Sequence, residues 1–171
     1  PCDVVITGGE PTIQGKELTL LCREIKKINM KIFITLETNG TFISDFADYI
    51  DLACISPKLK SSVPFNTEFE KGHEKNRLNF ETLKSYHDLN RKEKFDIQWK
   101  FVVTSETDIN EIKEIQNKIG FQDKDIFLMP EGITEKDLSE KRIIVVELCK
   151  KYRYNFTDRL QIRLWGNKRG V

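Results

Sequence analysis

Short apolar segments alternate with longer amphipathic ones along almost the whole chain, and this alternation constrains the fold more than any other feature. Six short segments rich in β-branched or aromatic residues are predicted strands: residues 3–7, 31–36, 51–55, 95–104, 125–129 and 159–165. Five others, most with apolar residues at three- and four-residue steps, are predicted helices: residues 16–29, 43–49, 79–90, 108–119 and 134–152. A polar loop is predicted over residues 59–75. This order predicts parallel strands joined by right-handed crossovers, in an open sheet or a barrel.

The composition is typical of a single globular domain. The chain has 171 residues, of which 39% are hydrophobic and 32% charged, so one hydrophobic core and one domain over residues 1–171 are expected. A net charge of +1 argues against a general nucleic-acid binder. No apolar run is long enough to span a membrane, and no secretory signal is visible. We therefore expect a cytoplasmic protein without direct nucleic-acid or membrane partners.

Glycine and polar residues follow the predicted strands at their carboxyl ends. These residues are Gly8, Gly9, Glu10, Glu37, Asn39, Ser56, Lys58 and Met129, together with the glycine-bearing tail, residues 166–171. Because the carboxyl ends of parallel strands lie at one edge of a sheet, the residues are expected to converge on a single ligand site. Glycine also allows a ligand to approach bare backbone. Simpler interpretations remain open: a tight strand-to-helix turn, a Glu10 that only anchors its own loop, and a solvated Lys58.

The cysteines do not form a local metal motif. Cys2, Cys22, Cys54 and Cys149 are too far apart in sequence for the ligand spacing of zinc or iron–sulfur sites. We therefore expect them to pack as small apolar side chains.

Four sequence motifs carry a family resemblance. Residues 7–11, Thr-Gly-Gly-Glu-Pro, resemble the GGEP motif of radical S-adenosylmethionine (SAM) enzymes. With residues 37–41 (Glu-Thr-Asn-Gly-Thr), 56–58 (Ser-Pro-Lys) and 164–171 (Leu-Trp-Gly-Asn-Lys-Arg-Gly-Val), nearly the whole chain resembles the 7-carboxy-7-deazaguanine synthases. The implied fold is α/β, a partial TIM-like (β/α) barrel of the radical SAM type, with about six parallel strands alternating with helices.

The resemblance implies a reaction, cofactors and contacts. The enzymes of this family are carbon–nitrogen lyases of queuosine and 7-deazapurine biosynthesis. They convert 6-carboxy-5,6,7,8-tetrahydropterin to 7-carboxy-7-deazaguanine with loss of ammonia. The resemblance implies SAM, a 4Fe–4S cluster and Mg²⁺ as cofactors, a small-molecule pterin substrate, and, we expect, a homodimer. The cofactor SAM would contact Gly8, Gly9, Glu10, Ser56, Pro57 and Lys58. The substrate would contact Thr7, Glu37, Asn39 and the terminal carboxylate of Val171.

Two features depart from the family pattern. The three-cysteine cluster motif, with the magnesium-binding residue beside it, precedes the GGEP strand in this family and is absent from this sequence. The chain begins with proline, and its first methionine is Met30. We therefore expect a C-terminal portion of a longer protein, without cluster or magnesium ligands and without radical chemistry of its own. The second departure is Met129, which stands where some relatives have a cofactor-contacting glutamine.

Two alternatives stay open from the sequence. One is another radical SAM enzyme, such as a glycyl-radical activase, which shares the GGEP-type strand. The other is a non-catalytic domain that binds a purine-like ligand or a protein. An upstream in-frame Cys-x3-Cys-x2-Cys would support an enzyme, whereas a stop codon and a local start would support the binding domain.

Overall fold

The computed structural model describes residues 3–168 and contains one six-stranded sheet in that range. The strands are β1 (Val4–Ile6), β2 (Ile34–Thr38), β3 (Leu52–Ile55), β4 (Asp96–Val103), β5 (Ile126–Pro130) and β6 (Asn155–Phe156). The helices are α1 (Gly15–Ile28), α2 (Glu70–Asn76), α3 (Phe80–Arg91), α4 (Asp108–Ile119), α5 (Glu135–Tyr152) and α6 (Leu160–Trp165). Every pair of neighbouring strands is parallel.

The strand order is β1-β2-β3-β4-β5-β6, so each strand lies beside the one that precedes it in the chain. A doubly wound sheet would reverse this order at a switch point, whereas a (β/α) barrel adds its strands in one direction. The sheet is therefore a partial barrel, with β1 and β6 at its two edges in the described part of the chain. This confirms the predicted fold class.

One face of the sheet is apolar and packs against the helices. Because side chains alternate across a strand, Ile34 and Leu36 of β2 share a face with Ile55 of β3 and with Trp99 and Phe101 of β4. All five are fully buried. The helices contribute buried side chains to the same core: Leu18, Cys22, Leu83, Tyr86, Ile109, Ile112, Ile115, Val145 and Leu148. The opposite face is concave and carries polar side chains.

The predicted sixth strand, residues 159–165, is wrong. That segment forms α6, and the sixth strand is the short β6 that precedes it. The error has a physical cause, because Leu160, Ile162 and Leu164 alternate with polar residues as they would in a half-buried strand. In the structure only Ile162 is buried, while Leu160 and Leu164 are exposed.

Two further predictions need correction. The predicted helix over residues 43–49 is a 3₁₀ turn, Asp45–Asp48. The predicted loop over residues 59–75 contains a second 3₁₀ turn, Lys60–Ser62, and most of α2. The other strands and helices are confirmed, with ends that differ by at most three residues. Among the described helices, none is both long enough and apolar enough to cross a membrane.

Candidate functional site

A half-buried ion pair crosses the concave face of the sheet. The strand register places Glu37 beside Cys54 and Cys54 beside Gln98, on the face opposite the core. Lys100 lies two residues further along β4, and its Nζ donates to Glu37 Oε1 at 2.9 Å. Lys100 therefore faces the barrel interior. No residue in the range 3–168 donates to Glu37 Oε2, so that oxygen is open to a ligand.

Glu10 ties the end of β1 to the end of β2. Its Oε1 accepts hydrogen bonds from the Thr12 amide at 3.1 Å, from Thr12 Oγ1 at 2.5 Å and from Thr38 Oγ1 at 2.6 Å. Its Oε2 accepts from the Asn39 amide at 2.7 Å. Glu10 thus anchors its own loop, as one interpretation of the sequence held, and it also fixes the turn that follows Glu37.

The two glycines before Glu10 leave the backbone open. Gly8 has φ +153°, a conformation that side chains rarely adopt. A Cβ atom at Gly8 or Gly9 would meet no other atom within 4 Å, so both positions border open space. They lie in a depression of about 620 Å³, which we call the glycine cleft. The cleft is lined by Ile6, Thr7, Gly8, Gly9, Glu10, Pro11, Gln14, Glu17, Leu18 and Leu21.

A second cavity, of about 330 Å³, lies at the carboxyl ends of β3 and β4, and we call it the Lys58 cavity. Its walls are Ser56, Pro57, Lys58, Leu59, Ser61, Ser62, His73, Val102, Thr104, Glu131 and Arg159. The three residues of the predicted Ser-Pro-Lys segment therefore share one cavity. Arg159 reaches it from the segment after β6, because the curvature of the sheet brings that segment back towards β3.

Electrostatics link the two cavities. Displacement of water from around the ammonium group is the main cause that lowers the pKa of Lys58 from its ordinary 10.5. The positive charge of Arg159 lowers this pKa further, and Lys100 does so to a smaller extent. The negative charge of Glu10 raises the pKa of Lys58, so the Glu10 carboxylate lies within electrostatic range of Lys58. Glu10, Arg159 and Lys100 therefore all lie within electrostatic range of Lys58.

An ion pair holds the backbone around Lys58. Arg77 Nη1 donates to the Lys58 carbonyl at 3.0 Å and to Glu111 Oε1 at 2.5 Å. The second oxygen of Glu111 accepts from the Lys60 amide at 2.7 Å. Arg77 and Glu111 thus connect the start of α4 and the end of α2 to the segment that carries Lys58.

The structure places the predicted site residues in three different settings. Thr7, Gly8 and Gly9 are exposed in the glycine cleft, and the Ser56–Lys58 segment lines the other cavity. The Asn39 side chain is used locally, because its Oδ1 accepts from the amide and from the hydroxyl of Thr41. Val171 lies outside the described residues. Contacts of these residues with a ligand stay predictions.

The described residues do not offer a metal site. No group of three His, Cys, Asp or Glu side chains in residues 3–168 is arranged to hold a metal ion. Cys22, Cys54 and Cys149 are buried in separate elements. Burial raises the pKa of Cys54 and of Cys149 to about 11, which keeps both thiols protonated, whereas a metal binds the thiolate.

A further depression lies at the opposite edge of the sheet. We call it the basal depression; its volume is about 590 Å³. Its walls include His87 and Asn90 of α3, Asp96 at the start of β4, and Gly120 and Lys124 before β5. It contains none of the predicted site residues.

Sequence reasoning missed Arg159. The segment that contains it was predicted to be a strand, and no motif distinguishes this arginine from the other basic residues near the end of the chain. Its place in the Lys58 cavity follows from the curvature of the whole sheet, which no local pattern encodes.

Sequence comparison identifies the relatives of this chain. A 7-carboxy-7-deazaguanine synthase of Halobacterium salinarum is 36% identical over 96% of this chain. A second synthase of that name, from Rhodopirellula baltica, is 33% identical over 98% of this chain. This chain is a homologue of the 7-carboxy-7-deazaguanine synthases. The chain spans 65% and 63% of the lengths of these two synthases. No protein-family model matches the chain.

Structural comparison agrees with the fold expected for such a synthase. A solved structure described as "Native anSMEcpe with bound AdoMet" superposes with a TM-score of 0.53 and 22% identity. The superposition covers 99% of this chain and 54% of that one. This chain therefore shares its partial α/β barrel with that structure.

Proposed function

We propose that this chain carries the ligand-binding strand ends of a 7-carboxy-7-deazaguanine synthase. The proposed reaction is the radical conversion of 6-carboxy-5,6,7,8-tetrahydropterin to 7-carboxy-7-deazaguanine, with SAM as cofactor. One observation carries the proposal: residues 7–10, 37–39 and 56–58 all lie at the carboxyl edge of one parallel sheet. In a (β/α) barrel, this edge is where active sites are built.

The charges at the strand ends fit the amino-acid end of SAM. That part of the cofactor carries an ammonium group and a carboxylate. Glu10 supplies a negative charge at the end of β1, and Lys58 supplies a positive charge within its electrostatic range. The open backbone at Gly8 and Gly9 lets a ligand approach Glu10 closely. When bound, the cofactor supplies the radical chemistry, while the protein residues bind and orient.

The ion pair on the concave face fits the pterin ring. A carboxylate accepts two parallel hydrogen bonds, which suits the guanidine-like edge of a pterin. Lys100 already donates to Glu37 Oε1, and this contact fixes the orientation of the carboxylate. Glu37 would therefore present Oε2 to the substrate, with Oε1 shared between Lys100 and a second ring donor.

The proposal assigns neither cluster ligands nor a magnesium ligand to residues 3–168. The cysteines at positions 22, 54 and 149 are buried in separate elements and do not fit a cluster site. No group of three His, Cys, Asp or Glu side chains in this range is arranged to hold a metal ion.

A reconstitution of the product of the complete coding sequence tests the proposal. The protein is supplied anaerobically with iron and sulfide, then with SAM, a reductant, magnesium and 6-carboxytetrahydropterin. We expect 7-carboxy-7-deazaguanine, detected by mass. Deoxyadenosine without that product would place the protein with another radical SAM activity, and neither species despite an intact cluster would favour a binding domain.

The same assay tests the role of Glu37. In Glu37→Gln, SAM cleavage should persist while the affinity for the pterin falls roughly tenfold or more, because a charged acceptor is lost. Glu140→Gln, on the exposed side of α5, is the matched control and should behave like the wild type. Unchanged pterin affinity in Glu37→Gln would rule out this role.

A further inference from the structure

Two positive side chains in the Lys58 cavity have no acidic partner among residues 3–168. Lys58 and Arg159 both line the cavity, and the charge of Arg159 depresses the pKa of Lys58. Neither side chain is in an ion pair with a described residue. Two like charges that face one cavity repel each other, and an anion placed between them would relieve this repulsion.

Glu131 in the cavity wall and Asp158 beside Arg159 in the sequence are already paired with other cations. Glu131, the one acid in the cavity wall, pairs with Lys141 of α5. Asp158 precedes Arg159, but its Oδ2 accepts from Arg142 Nε at 2.8 Å. Its Oδ1 accepts from the backbone amide of Arg159 at 2.9 Å. Asp158 therefore holds the arginine in place through its backbone and leaves its guanidinium group uncompensated.

The cavity also contains buried polar atoms without hydrogen-bond partners in the described range. These are Arg159 Nε and His73 Nδ1. Buried polar atoms are almost always hydrogen-bonded, and an unpaired donor in a cavity indicates a missing acceptor. An oxyanion would accept from the arginine and would sit beside Lys58. The planar fork of arginine donors matches a carboxylate best.

We propose that Arg159 and Lys58 together form a carboxylate subsite in the Lys58 cavity. This inference rests on the proposed function for the identity of the ligand, since both SAM and the pterin substrate carry a carboxylate. Lys58 supplies a point charge from the end of β3, and Arg159 supplies directed donors from the segment before α6.

Calorimetric binding to the cluster-loaded product of the complete coding sequence tests the subsite. The ligands are SAM and 6-carboxytetrahydropterin, each compared with its analogue that lacks the carboxylate. In Arg159→Met, we expect roughly tenfold to hundredfold weaker binding of one carboxylate-bearing ligand and unchanged binding of its analogue. Arg163→Met, on the exposed side of α6, is the matched control and should change neither affinity.

The pattern of losses identifies the carboxylate. Weakened SAM binding alone assigns the subsite to the methionine carboxylate, and weakened pterin binding alone assigns it to the substrate. Equal weakening of a ligand and its decarboxylated analogue would overturn the proposal, because it would mean that Arg159 acts on the shape of the site. Unchanged binding of both ligands would overturn it as well.

A simple anion keeps the two proposals separable. If the wild-type protein binds neither ligand, the proposed function fails. The subsite is then tested separately, by measuring the melting temperature of the protein with and without acetate. An anion that binds only the folded state raises the melting temperature. An acetate-dependent rise that is lost in Arg159→Met would support the subsite, and an equal rise in both proteins would overturn it.

Discussion

At the scale of single residues, Glu10 shows how a motif residue can have a structural role that its motif does not reveal. The Gly-Gly-Glu-Pro sequence indicated a ligand contact at a strand end, and the structure shows a carboxylate that accepts four hydrogen bonds from two strand ends. Sequence reasoning located the residue but not its partner Thr38, which lies 28 positions away in the chain. Such contacts depend on strand register, and no local pattern specifies it.

The hydrogen bonds of Glu10 predict a stability effect. Glu10→Ala would leave the buried hydroxyls of Thr12 and Thr38 without their acceptor. We expect a loss of about 2 kcal/mol in the free energy of unfolding, measured by urea titration. Glu140→Ala, an exposed glutamate on α5, is the control and should change stability little. Equal unfolding free energies for the two variants would show that the Glu10 network contributes nothing.

At the scale of elements, most of the fold was predictable because apolar periodicity reports which face a segment buries. Helix α4 has buried isoleucines at positions 109, 112, 115 and 119, and its predicted bounds match the observed ones. Apolar periodicity did not predict the segments that bury too few side chains to show a pattern. Strand β6 has two residues of intermediate burial, and the alternation in α6 resembled a strand.

The Arg77–Glu111 pair predicts a local effect on the segment around Lys58. In Arg77→Met, the Lys58 carbonyl loses its donor, and Glu111 loses its partner. If the free energy of local unfolding of this segment falls by about 1 kcal/mol, the population of its locally unfolded form rises about fivefold. Trypsin should then cleave after Lys60 about fivefold faster. Arg23→Met removes an exposed pair with Glu24 and should leave this cleavage rate unchanged. Equal rates in the two variants would contradict a clamping role.

At the scale of the whole molecule, the order of parallel strands brings distant residues to one edge. Convergence of the predicted residues on one ligand site stays a prediction, but Glu10 at the end of β1 and Lys100 of β4 both act electrostatically on Lys58, which follows β3. The sequence could not show that Arg159 joins them, because this requires the curvature that carries the end of β6 back towards β3. The partial barrel thus supplies the part of the site that sequence motifs do not encode.

Hydrogen–deuterium exchange of the complete, cluster-loaded protein, with and without SAM, tests the central claim that one ligand site lies at the carboxyl edge. We predict slower exchange in residues 7–10 and 56–60 when SAM is present. Residues 120–124, in the basal depression, should exchange at an unchanged rate. Protection of the basal depression, with none at the strand ends, would contradict the account.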